Sequence, residues 1–251
     1  MYQPDEDILR VYFRLEEYQS RRMRMQRIWH PELMNWAKRG APPPLTETKR
    51  IRREELARMG FGEEHYQRMV AGEQETKALL CSLAQKHPLW AHFERIRAFG
   101  PYVCGAFIAA GGDIARAPTV SAFWKGMGLD VLPDGTVPRR IRGRRNVPRP
   151  IPALPHVTRV GEQIRQQILR GQGKLADIYY QKKEEYWSRH PDRIKNYAHL
   201  HGLRMAQKLL YACLWEQWRQ AYGLPATWPY AFAILRHHQN GCVRIHDLYD
   251  R

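Results

Sequence analysis

Six arginines, Arg139, Arg140, Arg142, Arg144, Arg145 and Arg149, fall within eleven residues of this chain with no acid among them. A guanidinium fork matches the oxygens of a phosphate, and each phosphate neutralised releases counter-ions. Anion binding is the chemistry of this stretch. A second group, His237, His238, Cys242 and His246, sets four metal-capable side chains within ten residues. Their spacing fits no common zinc pattern and no C-x-x-C half accompanies them, so they stand as candidate ligands while no metal or cofactor is expected. For covalent chemistry there is neither a G-x-x-x-x-G-K phosphate loop nor a G-x-S-x-G turn. The chain holds four serines, Ser20, Ser82, Ser121 and Ser188, of which Ser121 is the candidate nucleophile should the protein be an enzyme. No complete catalytic constellation can be assembled.

Charge points the same way as the arginine cluster. Forty-one Lys and Arg oppose 25 Asp and Glu, giving a net charge of +16 and an isoelectric point near 10.0. That excess favours a polyanionic partner, nucleic acid first and an anionic membrane surface second. Hydrophobic residues make up 43% of the 251, enough for a real core in one large domain or two small ones. Cys81, Cys104, Cys213 and Cys242 are scattered, which argues against a disulfide framework and for a reducing cytoplasm. The start, "MYQPDEDILR", has no apolar signal segment, and the longest nearly apolar run, Tyr102 to Gly112, is too short to cross a bilayer.

The elements that must carry these groups read as helices throughout. Ile8, Val11, Tyr12, Leu15 and Tyr18 keep helical spacing within 6–39, with a break near His30-Pro31. Gly40 to Pro44 is a hard stop. Helical pattern resumes at Thr46 and again over 73–86, after a Gly60-Phe61-Gly62 turn followed at once by Glu63 and Glu64, whose carboxylates would repel a phosphate. Further helices are expected over 157–171, 173–188 and 201–222. In the last, Leu203, Ala206, Leu210, Cys213, Leu214 and Ala221 line one stripe, while Arg204, Lys208 and Arg219 stay polar. Trp187, Trp215, Trp218 and Trp228 are more readily core residues than base-stacking platforms. No strand pattern is convincing. The fold class is all-α, in four stretches: a helical N-terminal region (1–87), a hairpin core (88–130), a Pro/Arg-rich arm (131–155) and a helical C-terminal region (156–251).

The apolar centre, "FGPYVCGAFIAAGGDIARAPTVSAFWKGMGL", sits beside the arm. A helix over 89–97 turns through Ala98-Phe99-Gly100 into a second helix from Pro101, with Gly100 expected to supply a φ that other residues avoid. This arrangement describes a helix-hairpin-helix whose free amides can hold a phosphate oxygen. Arg97, Phe99, Gly100, Pro101, Tyr102 and Lys125, with the six arm arginines, are the candidate DNA-binding residues. A tight turn inside a bundle that touches no ligand fits the spacing equally well.

Residues His87 to Arg145 resemble the C-terminal domain of the insertion-sequence transposases of the one-hundred-ten and one-hundred-sixteen group, DEDD recombinases guided by a bridge RNA. Phe99, Gly100, Pro101, Asp113, Ile114, Val120, Phe123, Trp124, Gly128 and Leu129 carry the match. The helix "LRMAQKLLYACLWEQWR" (203–219) is similar to the family's closing basic helix. The family's first hairpin glycine is Ala98 here, and its strand-exchange serine falls where this chain has Pro133-Asp134-Gly135. Residues 1–85 show no strand-borne carboxylate pair for the family's metal-dependent nuclease domain.

The resemblance and the charge together imply a transposase-like protein that clamps the DNA backbone through the hairpin and the arm without a catalytic site of its own. A recombinase subunit completed by a separate nuclease chain or guide RNA, and a structural RNA-binding protein, are the alternatives.

Overall fold

The computed structural model describes residues 4–30, 47–131, 154–226 and 243–250. Nine α-helices are present among them: α1 (Pro4–Trp29), α2 (Glu47–Arg58), α3 (Glu63–Lys86), α4 (Trp90–Phe93), α5 (Pro101–Gly111), α6 (Val120–Gly126), α7 (Pro155–Gly171), α8 (Lys174–Arg189) and α9 (Lys195–Ala221). Two 3₁₀ turns, Ile114–Arg116 and Ile245–Leu248, join them, and the described residues contain no strand. The chain is all-α. Among the described residues no helix is long and apolar enough to cross a membrane.

Local chemistry sets several of the boundaries. Pro101 and Pro155 stand in the first turn of α5 and α7, where a missing N–H costs no hydrogen bond. The Thr119 hydroxyl accepts the Ala122 N–H at 3.2 Å and caps α6. Asp5, Glu6 and Asp7 open α1, and Glu63 and Glu64 open α3, each favourable beside the positive end of the helix dipole. That accounts for an α3 beginning at Glu63, ten residues before the periodicity over 73–86 indicates.

Burial organises the rest around α5. Its residues Val103 to Ala109 are all buried, as expected for a helix that is apolar on every side. It packs against α3, α1 and α7, and Phe107 lies within 5.2–6.1 Å, centroid to centroid, of Phe93, Phe123, Tyr211 and Trp218. The N-terminal third joins this same core through Ile8, Tyr12, Leu15, Leu80 and Ala84. Cys104 and Cys213 are buried in it, as their helical positions suggest.

A polar knot ties the two ends of the fold together. His87 is fully enclosed; its Nδ1 accepts the Leu89 N–H at 3.1 Å and its Nε2 bonds Asp5 Oδ1 at 2.9 Å. The Tyr222 hydroxyl donates to the same Asp5 oxygen at 2.9 Å. Start of α1, end of α3 and end of α9 thus meet at one carboxylate.

Three expectations need correction. The helix over 89–97 is only Trp90–Phe93; bonds from Ile96 N–H to Phe93 O and from Phe99 N–H to Ile96 O continue the chain as tight turns. Phe93, Ile96 and Phe99 are all buried, and a three-residue repeat keeps such side chains aligned where an α-helix would rotate them apart. The closing helix starts at Lys195 rather than 201, because Ala198 and Gly202 are buried there and α9 lies along α8. Within it, Ala221 is exposed, whereas Arg219, expected on the polar face, is 3% exposed. Its guanidinium donates to the carbonyls of Ile114, Ala117 and Pro225 at 2.8–3.1 Å, a set of acceptors that sequence periodicity does not reveal.

The α8–α9 contact depends on a missing side chain. A Cβ at Gly202 would lie 2.7 Å from the Tyr179 carbonyl oxygen, a backbone atom that cannot rotate away. Gly202→Ala is expected to destabilise the protein by about 1–3 kcal/mol, read as a lower denaturation midpoint in urea.

Candidate nucleic-acid interface

The turn before Pro101 has a different backbone from the one the sequence suggests. Gly100 is extended (φ −99°, ψ 174°), and Ala98 takes the left-handed conformation with φ +68°. Phe99 is 5% exposed and packs 6.0 Å from Phe93, so it belongs to the core and offers no surface to DNA. The apolar stretch is therefore an enclosed helix with one open end.

That end holds two kinds of amide. The Arg97 N–H donates to Asp250 Oδ2 at 2.7 Å, and the other oxygen of Asp250 accepts the Lys174 N–H at 2.9 Å. The protein's own carboxylate thus holds the chain just ahead of the turn, beside the amides at the start of α5 where a phosphate is expected. The amides of Gly100 and Tyr102 have no acceptor among the described residues. A Cβ at Gly100 would meet nothing within 4 Å. Pro101 and Tyr102 are half-buried, Arg97 is exposed, and Lys77 Nζ stands 5.3 Å from the Tyr102 ring.

The remaining candidates separate. Lys125 is exposed on α6, on an element that packs against α9 rather than beside the turn. Ser121 is exposed in the first turn of α6, and among the described residues nothing hydrogen-bonds its hydroxyl. His246 is exposed beside Tyr249, with ring centroids 5.2 Å apart. Among the described residues no three His, Cys, Asp or Glu side chains converge on a metal position. His237, His238, Cys242, Trp228 and the six arm arginines, Arg139, Arg140, Arg142, Arg144, Arg145 and Arg149, lie outside the described residues. Trp215 and Trp218 are core; Trp187 is half-buried with Lys195 Nζ 5.8 Å from its ring.

A cationic row on α9 went unrecognised in the sequence. Arg204 donates to the carbonyls of Leu129 and Asp130 at 2.8 and 2.6 Å, at the last described residues before the arm. Lys208 lies one turn on, with Nζ 4.7 Å from the Trp124 ring, and the Trp124 indole donates to the Lys208 carbonyl at 3.0 Å. Arg165 of α7 approaches from the side and donates to Gln207 at 2.8 Å. Among the described residues neither Arg204 nor Lys208 has a salt-bridge partner; Arg165 has Glu162 at 3.7 Å. Burial, followed by Arg165, pulls the Arg204 guanidinium below its ordinary range, and burial followed by Arg204 does the same to Lys208, with Asp130 opposing in both cases. His201, one turn before Arg204, is lowered by burial and then by His190, Lys182, Arg189 and Arg204. These cations repel one another. Their spacing at 201, 204 and 208 is visible in the sequence, but a charged stripe on a helix reads equally as a solvated face; half-burial is what distinguishes it, and that comes from packing.

Comparison with family models, with curated proteins and with solved structures finds no match for this chain.

Two outcomes follow from this geometry. Left-handed alanine costs roughly 1–2 kcal/mol, so Ala98→Gly is expected to raise stability by about 1 kcal/mol once the greater freedom of unfolded glycine is subtracted, seen as a higher denaturation midpoint. His92, His156 and His201 all lie below the ordinary imidazole value, with burial the largest cause in each. An imidazole depressed in the folded state costs nothing above its unfolded value of about 6.5 and destabilises as pH falls below it. Thermal midpoints are expected to drop from pH 7 to pH 5, with a shallower drop for His201→Gln; an unchanged midpoint would contradict the assignment.

Proposed function

We propose that this protein is a nucleic-acid-binding, transposase-like protein that grips duplex DNA by its phosphates. The Arg-rich arm and the row formed by Arg165, Arg204 and Lys208 make the contact. The observation that carries this reading is the row. Half-buried cations packed against one another raise the energy of the unliganded protein, and a polyanion laid along them relieves the repulsion. The arm follows in sequence from Val131, next to the carbonyls that hold Arg204, and in this role its six guanidinium groups add further phosphate contacts.

The resemblance of 87–145 to insertion-sequence transposases favours DNA over other polyanions. Phosphate contacts carry no base information, so grip without strong sequence preference is expected. At the start of α5 the amides of Gly100 and Tyr102 have no acceptor among the described residues, but the Asp250 carboxylate stands close by on the Arg97 amide and disfavours an incoming phosphate. In this role the chain positions nucleic acid, and a separate nuclease subunit performs cleavage.

Salt dependence tests the reading. Each lost phosphate contact lowers the slope of log K against log salt by roughly 0.9. Replacing the six arm arginines by glutamine is expected to flatten the slope by up to about five, and Lys208→Gln by about one more. An unchanged slope in the arm variant removes the arm; duplex binding insensitive to salt removes the proposal.

A further inference from the structure

The row on α9 carries rings as well as charges, and the rings are placed for something a duplex does not offer. Tyr197, His201, Arg204 and Lys208 recur at intervals of four, three and four residues, so they share one face of α9. Between Tyr197 and Lys208 that face runs roughly 16 Å at 1.5 Å per residue. Each ring along it is paired with a cation or an imidazole. Arg193 Cζ stands 5.9 Å from the Tyr197 centroid, the Tyr186 and His201 rings stack at 4.5 Å with 30° between planes, and Lys208 Nζ lies 4.7 Å from Trp124. Tyr197 is 39% exposed. The acid bearing on Arg204 and Lys208 is Asp130.

We infer that this face of α9 holds an unpaired stretch of nucleic acid, its bases on Tyr197 and the neighbouring rings and its phosphates on Arg193, Arg204 and Lys208. The inference rests on the proposed nucleic-acid role and narrows it: Arg204 and Lys208 hold the phosphates of either form, and the rings beside them add a stack that only an unpaired strand can use. A paired base has both faces covered by its neighbours in the stack and cannot use Tyr197, whereas an unpaired base presents a free face to any ring. The cations beside Tyr197 and Trp124 meet the phosphate that follows a stacked base, which combines the two contributions known for single-strand grooves. An apolar protein helix would fit Ile194 and Met205, exposed alongside, but would leave Arg204 and Lys208 facing no negative charge. Charge complementarity selects the nucleic acid.

Anisotropy titrations with labelled oligo-dT, oligo-U and a duplex, each of about twenty nucleotides, test this at fixed salt. Tyr197→Ala is expected to weaken single-strand binding roughly five-fold or more while leaving duplex affinity unchanged, the loss of one base–ring stack. Tyr197→Phe, which keeps the ring, is expected to restore it. Tyr180→Ala is the control: this residue is more exposed (57%) but lies on a different face of α8 from Tyr186, and its loss is expected to change nothing. If Tyr197→Ala alters neither affinity, or both equally, the single-strand assignment falls while the nucleic-acid role stands. If the unmodified protein binds none of the three probes, the nucleic-acid role itself falls.

Discussion

A helix with no polar face has to be enclosed, and α5 is that helix. Everything from Val103 to Ala109 is buried, so α1, α3 and α7 must lie against it, with Phe107 joined to the rings of α9 and α6. The enclosure consumes the inner faces of the surrounding helices. Leu203, Ala206, Leu210, Leu214 and Trp218 commit one side of α9 to the core, and Arg204 and Lys208 of the same helix are left on the side that remains. Core and charged surface are two consequences of one packing requirement.

The charges left over are not treated alike. Arg219 is buried but satisfied by three carbonyls, Arg159 is paired with Glu16, and Arg22 is joined to Glu73. Each of these holds elements together. Arg204 and Lys208 are half-buried, yet among the described residues no carboxylate is bonded to either. Among the described residues, leaving these two without a bonded carboxylate while exposed Arg50 is paired with Glu47 and Glu54 is an asymmetry that global net charge does not explain. Local violations of charge pairing are where function is sought in an otherwise consistent fold. That argument supports the proposed role more directly than the isoelectric point does, since a basic composition alone speaks only to non-specific attraction.

Much of the fold was legible because its signals are local. Helical periodicity and Pro101 at a helix start are read within a few residues, and the structure places α5, α7 and α8 close to their expected positions, with Pro155 opening α7 rather than closing the arm. The failures share a cause: they depend on partners distant in sequence. Residues 94–98 have helical composition, but burial of Phe93, Ile96 and Phe99 together selects tight turns. Arg219 has the spacing of a surface residue until the carbonyls of Ile114 and Ala117 arrive from a hundred residues earlier. Ala98 takes a conformation that Gly100 was better suited to accept. At the candidate site, the anion-binding character of the arm was plain from composition, whereas the row on α9 was hidden among ordinary polar positions. Asp250, which occupies the Arg97 amide, could not have been paired with it by any local rule.

The arm and the row differ in how they would meet a polyanion in the proposed role. An arginine in the arm has to give up hydration when it reaches a phosphate. Arg204 and Lys208 have already lost part of theirs to α6, α7 and the 129–130 backbone, so that cost is met during folding. In the proposed role, long-range attraction from the arm gathers the nucleic acid and the half-buried row sets where it rests.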